Sequence, residues 1–216
     1  MPIKDIFLAL LVPIVLGFGF VIAKPAMESF PPILLNGLRW SLSGLLMCYF
    51  FPFPKKLIKQ MLIISFIGCT VQYSLSFYGL KILDGASATL FVQSEIPFGI
   101  IIAYFLLGEK PPMKNIIGLI IAFVGIIILS GNPNLDGKFI GIIFILSGAF
   151  LWSLAQVLAK DVSKKIGGLA LTAWLGIFAG PQAILASNLI EGNSFNYILN
   201  ATPQAWLILI YLAIGM

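Results

Sequence analysis

Apolar residues gather into eight stretches, separated by short segments rich in lysine, proline, glycine or asparagine. They run from Ile6 to Ile22, Pro32 to Phe51, Met61 to Leu80, Ala86 to Leu107, Asn115 to Ser130, Phe139 to Ala159, Leu169 to Asn188, and Gln204 to the end. An α-helix rises about 1.5 Å per residue, so roughly 17 to 25 apolar residues cross the ~30 Å hydrocarbon core of a bilayer. The pattern therefore predicts an all-α, polytopic membrane protein with seven complete spans and an eighth left unfinished at Met216. Lys4 ahead of an apolar run, with Val21-Ile22-Ala23 passing as a cleavage site, also fits a secretory signal.

A repeat argues for retaining the first span. Val21-Ile22-Ala23-Lys24 recurs as Val157-Leu158-Ala159-Lys160, and in both places it closes an apolar stretch. The second copy lies in mid-chain, where no signal peptide can stand. Five spans begin between the starts of the two copies. Five is odd, so the second copy enters the membrane from the opposite side, the inverted topology typical of secondary transporters.

Charge sets the orientation. Lys4, Lys55, Lys56, Lys59, Lys110, Lys114, Lys160, Lys164 and Lys165 fall in one alternate set of loops, against Lys24, Lys81 and Lys138 in the other. The lysine-rich set is cytoplasmic by the positive-inside rule, which puts the N-terminus in the cytoplasm. Loops around Lys56, Lys110 and Lys164 then face inward, and those around Lys24, Lys81, Asp136 and Asn193 outward. The chain is 60% hydrophobic and 10% charged, with a net charge of +5 that insertion topology accounts for without nucleic acid as a partner.

Two charges break the apolar pattern. Arg39, the single arginine, lies inside span two, and Glu95 is the acid set deep in span four. By helical rise they sit roughly 10 to 12 Å and 14 Å below the outer ends of their spans. Charges at such depth face the bundle interior, find a partner or line a pathway. A fixed ion pair between helices and a role in substrate or proton handling are both open readings.

Polar stripes extend the picture. Asn36, Arg39, Trp40 and Ser43 share one face of span two, and Ser65, Cys69, Gln72 and Ser76 share one face of span three, with Tyr73 alongside. Interhelical hydrogen bonds and substrate contact are equally good accounts of any one member. In span four, Pro97 removes the helical partner of the Gln93 carbonyl and predicts a kink. Gln93 and Glu95 stand about 200° apart on a regular helix, so a single one can face a central cavity. Gln93 is the expected lining residue, with Glu95 as the partner of Arg39 or a proton carrier. Trp152 and Gln156 share a face of span six. Gly17, Gly19, Gly118 and Gly125 are expected at close helix contacts.

Enzyme signatures are lacking. There is no histidine, no zinc-protease or serine-hydrolase motif and no phosphate-binding loop, and nothing calls for a cofactor or metal. Cys48 and Cys69 lie within spans and read as packing residues. Asn200-Ala201-Thr202 matches a glycosylation pattern, but Pro203 follows directly and the match reads as accidental.

The motifs together resemble the EamA family of the drug/metabolite transporter superfamily. The resemblance rests on Gly17-Phe18-Gly19-Phe20 with Lys24, on the run from Phe30 to Trp40, on Gly85-Ala86-Ser87-Ala88-Thr89-Leu90, on Pro97, on Leu107-Gly108-Glu109-Lys110, and on Gly118 and Gly125. Within the family, the stretch from Pro31 to Arg39 and Gln93 after Ala-Thr-Leu-Phe-Val are most similar to bacterial exporters of cysteine, O-acetylserine and related amino-acid metabolites. Glu95 stands where those exporters tend to have glutamine. The resemblance implies two inverted five-helix repeats, residues 1–131 being the first and 138–216 an incomplete second with about three helices. It further implies a shortened chain, or two chains complementing each other as a homodimer.

These readings lead to a secondary transporter of the inner membrane. It contacts lipid and moves a small polar metabolite outward, coupled to protons or by exchange. The expected site is lined by Asn36, Trp40, Gln72 and Tyr73 with Gln93, Trp152 and Gln156. A non-transporting membrane subunit or truncated remnant, or an uptake carrier for another metabolite, is the alternative.

Overall fold

Each apolar stretch that the structure describes is helical. The computed structural model describes residues 14, 17–19, 21–130 and 137–215, and among them no strand occurs. The start of the first stretch, with Lys4, and the loop carrying Asp136 lie outside the described residues.

Helical residues 21–26 end α1, and α2 follows at Pro32–Cys48. The third stretch is one rod: α3 (Ile58–Ser65) passes through a π-helical turn (Phe66–Val71) into α4 (Gln72–Ile82). The fourth is broken into α5 (Gly85–Val92) and α6 (Glu95–Leu107). Then come α7 (Met113–Ser130), α8 (Phe139–Ile166), α9 (Gly168–Ile190), and α10 (Ser194–Asn200) with α11 (Pro203–Gly215), the last two bent at 110° to each other. Among the described residues, four segments are long and apolar enough to cross a membrane: Lys55–Ile82, Gly85–Leu107, Phe139–Ile166 and Gly168–Ile190. The bent pair would make a fifth. The 17-residue α2 is at the short limit for a span, and the described residues hold fewer long spans than the apolar pattern predicts. The chain is an integral membrane protein of the all-α class.

Local chemistry sets the helix ends. Pro31 and Pro32 open α2, where their missing N–H groups would find no helical partner anyway. The Asp84 carboxylate accepts from the Ser87 N–H at 2.8 Å and caps α5. Gly108, at φ 66°, ends α6 in a left-handed conformation that disfavours residues with a side chain. Past Ala159, α8 continues to Ile166, carrying Lys160, Lys164 and Lys165 on a polar extension.

Two helix crossings hold the bundle. At α2 and α9, a Cβ on Gly44 would lie 2.5 Å from the Ile177 nitrogen, and one on Gly176 would lie 2.8 Å from the Trp40 carbonyl oxygen. Gly37 meets Ile184, and Gly180 meets Ser41, along the same seam. At α4 and α8, Gly79 meets Ile145, and a Cβ on Gly148 would lie 2.5 Å from Ser76 Oγ. Small residues let helix backbones approach where lipid supplies no hydrophobic push. Gly17, Gly118 and Gly125, expected to do this, do not. Among the described residues, nothing lies within 4 Å of where a Cβ on any of the three would stand. Around Gly118 and Gly125, α7 presents Ile117, Ile120, Ile121, Ile127 and Ile128 outward, a surface suited to lipid.

Glu191 ties the end of α9 to the start of α2. Its carboxylate accepts from the N–H groups of Ile33 (2.8 Å) and Leu34 (3.0 Å), from Tyr78 Oη (2.9 Å) and from Ser187 Oγ (2.8 Å). A carboxylate on the free N–H groups of a helix N-terminus is favoured by both hydrogen bonding and the helix dipole.

Candidate functional site

The polar stripe of α2 meets that of the α3–α4 rod. Asn36 Nδ2 donates to the Cys69 carbonyl at 2.8 Å and to the Thr70 carbonyl at 3.4 Å, both in the π-helical turn. A π-helical turn shifts the i→i−4 register and leaves carbonyls for side chains to claim. Thr70 Oγ1 donates to Gln182 Oε1 on α9 at 3.1 Å, and Gln72 Nε2 donates to Ser76 Oγ at 3.1 Å. Asn36, Gln72 and Tyr73 are buried in this layer.

Aromatic rings continue it. Tyr73 meets Trp40 edge to face at 5.7 Å and Trp152 at 5.8 Å, and joins Phe77 at 6.1 Å. The Arg39 guanidinium lies against these rings, its central carbon 4.0 Å from the centroid of Tyr73, 4.9 Å from Trp40 and 5.9 Å from Phe77. Arg39 is 2% exposed, and among the described residues its Nε, Nη1 and Nη2 have no hydrogen-bond partner. Contact with an aromatic face is worth about 2 kcal/mol to a desolvated cation, less than the several kcal/mol of burying a charge.

Two cavities flank the aromatic chain. The larger, of about 880 Å³, opens between α6, α8 and the start of α9, with Glu95, Trp152 and Gln156 on its wall and Lys110, Lys160 and Lys164 at one end. Lys160 pairs there with Glu109. The smaller, of about 410 Å³, is lined by Arg39, Trp40 and Ser43 of α2 and by Leu212 of α11. Thr172 borders both.

This geometry corrects several expectations. No ion pair joins Arg39 to Glu95: the arginine lies against the rings of Trp40, Tyr73 and Phe77, whereas the glutamate lines the larger cavity beside Trp152. Glu95, rather than Gln93, is the residue at the cavity. Gln93 is exposed, while Glu95 faces the cavity. Gln93 and Ser94 form a turn between α5 and α6, and Ser153 Oγ on α8 donates to the Glu95 carbonyl at 2.6 Å. The break lies just ahead of Pro97, but the Gln93 carbonyl is not left free, because the Ile96 N–H donates to it at 3.2 Å. Pro97 thus falls in the first turn of α6, where a proline costs little. Of the seven expected lining residues, Trp152 and Gln156 reach the larger cavity and Trp40 the smaller.

Other contributors escaped the sequence reading. Ser153, Thr172, Gln182 and Glu191 carry no motif, and each acquires its role through a helix distant in sequence. Lys24 and Lys160, matched in the repeat, have different partners: Lys24 Nζ donates to the Leu83 carbonyl at 2.8 Å, and Lys160 meets a carboxylate.

Known proteins share this sequence and shape. The profile of the EamA-like transporter family matches residues 3–131. A probable amino-acid metabolite efflux pump of Salmonella typhimurium is 29% identical over 199 residues, covering 88% of this chain and 65% of that protein. Its Escherichia coli namesake is 26% identical over 198 residues, covering 88% and 66%. The uncharacterized transporter YetK of Bacillus subtilis is 27% identical over 213 residues, covering 93% and 64%. The chain thus spans a little under two thirds of the length of these relatives. One solved crystal structure superposes with a TM-score of 0.61 over 95% of this chain and 73% of its own, at 16% identity, a likeness of fold.

Proposed function

Because the chain belongs to the EamA-like transporter family, and is a transporter rather than an enzyme, we propose that it is a secondary carrier exporting a small, polar, amino-acid-like metabolite across a bacterial inner membrane. The carrying observation is the cavity of about 880 Å³, with an acidic side chain from a broken span facing a tryptophan and a glutamine of α8. Broken spans bordering a polar cavity are how secondary transporters build their substrate sites. The two relatives named as probable amino-acid metabolite efflux pumps support the substrate class.

Lys110, Lys160 and Lys164 border one end of the cavity and belong to the lysine-rich set of loops. With those loops and the N-terminus cytoplasmic, the cavity is open to the inside, ready to load an export substrate. Residues 1–131 and 138–216 act as inverted repeats, one rocking against the other to alternate access. Glu95 is the proton-coupling group, with Trp152 and Gln156 in substrate contact.

Everted membrane vesicles from cells expressing the protein provide the test, with uptake of labelled O-acetylserine or cysteine driven by an imposed pH gradient. Saturable uptake is expected, and Glu95→Gln should abolish its dependence on the gradient while leaving exchange. Normal membrane levels of protein with no flux of any amino-acid metabolite would refute the reading.

A further inference from the structure

Resting on the transporter reading, we propose that Arg39 is the carboxylate-binding group of the carrier, reached through the smaller cavity beside α2. The observation behind it is a cation without an anion. Arg39 is 2% exposed, has three nitrogens with no partner among the described residues, and lines that cavity. Acids that could neutralise it are engaged or turned elsewhere: Glu191 is committed to Ile33, Leu34, Tyr78 and Ser187, and Glu95 lines the larger cavity. Nor does either unpaired amide oxygen of the layer below, Asn36 Oδ1 or Gln72 Oε1, bond to it.

The rest of the wall has the same sense. Among the described residues, Trp40 Nε1 is a second buried donor without a partner, Ser43 adds a hydroxyl that can donate, and no acidic residue lines the cavity. A flat guanidinium presents parallel N–H groups that match the two oxygens of a carboxylate. The rings of Trp40, Tyr73 and Phe77 lie against the guanidinium, and its N–H groups are left for a ligand that displaces part of this packing. Free carboxylates and small inorganic oxyanions share this chemistry, and the amino-acid-like cargo proposed above carries the former.

Trp40 lies beside Arg39, so intrinsic tryptophan fluorescence of the purified protein in nanodiscs reports occupancy. Four probes separate the possibilities: L-serine, N-acetyl-L-serine, L-serinamide and sodium sulfate. Serine and N-acetylserine should give saturable changes, and serinamide, which lacks the carboxylate, should bind at least tenfold more weakly. Arg39→Gln should weaken serine binding at least tenfold, with Arg39→Lys intermediate. Should Arg39→Gln fail to fold, the comparison of serine with serinamide on the unaltered protein still decides. Equal affinity for serine and serinamide, unchanged serine affinity in a folded Arg39→Gln protein, or no saturable response to either carboxylate would each overturn the assignment. So would a sulfate response that neither carboxylate displaces. Those outcomes leave the carrier reading standing if vesicle flux persists, whereas Arg39-dependent serine binding without flux would sink the carrier reading alone.

Discussion

The α2–α9 crossing and the α6–α8 cleft are both built from apolar helices and differ in how their small residues line up. Along the first, Gly37, Ser41 and Gly44 face Gly176, Gly180 and Ala183, bringing backbones together. Along the second, Gly99 has nothing among the described residues within 4 Å of where a Cβ would stand, and it borders open cavity space. A glycine therefore tightens a membrane bundle where another helix packs directly against it, and elsewhere it leaves room. The tight crossing gives the protein a fixed spine, and the cleft holds the space a substrate would use.

Filling the spine should do the most damage. In Gly44→Leu the new side chain meets backbone atoms that cannot step aside, so a loss of about 3 kcal/mol or more is expected, while Gly99→Ala should stay within about 0.5 kcal/mol. Thermal unfolding in detergent separates the two, and equal melting temperatures would erase the distinction. Next, Glu191→Ala removes the carboxylate under the α2 N-terminus and leaves Tyr78 without its acceptor, a cost of about 2 to 3 kcal/mol at one end of the same spine. Protease sensitivity around Ile33 should rise with it.

The cleft should respond differently. Ser153→Ala deletes one hydrogen bond to the Glu95 carbonyl, about 1 kcal/mol. Its larger effect should be on flux, because α6 loses its tie to α8 beside the cavity. A variant with normal flux would show that the tie is dispensable. The smallest effect is expected at Asp84, remote from both regions. The Ser87 N–H holds the Asp84 carboxyl below its ordinary value of 3.8, so its capping contribution, about 1 kcal/mol, is present at neutral pH and disappears as pH falls through the folded value. Melting temperatures of the parent and Asp84→Ala proteins should differ at pH 7 and converge in strong acid.

Much of this molecule was legible as a one-dimensional pattern. Apart from the polar extension of α8 to Ile166 and the short α10, the apolar stretches predicted helices whose ends lie within a few residues of those seen from α2 onward, and the proline pair, Asp84 and Gly108 are local stop and start signals whose chemistry needs no distant partner. Arg39 and Glu95 stood out because charge is costly in hydrocarbon wherever the chain puts it. Periodicity also grouped Asn36, Arg39 and Trp40 on one face of α2, since a helix repeats every 3.6 residues regardless of its neighbours.

What each face looks at was decided by packing. In lipid, an apolar side chain is equally at home against a neighbour or an acyl chain, so hydrophobicity does not tell α7, with Gly118 and Gly125 in the open, from α9, with Gly176 and Gly180 in contact. Glu95, rather than Gln93, stands at the cavity, a choice that their spacing of about 200° around a helix leaves open. The π-helical turn that receives Asn36 and the aromatic chain beside Arg39 arise from residues far apart in sequence. Which segments are helical, and where charge enters the membrane, follow from the order of residues, because backbone hydrogen bonding and hydrocarbon solvation act locally. That the two intramembrane charges stand apart is a product of the fold, because the pairing of buried charges depends on which neighbouring side chains fill the space between them.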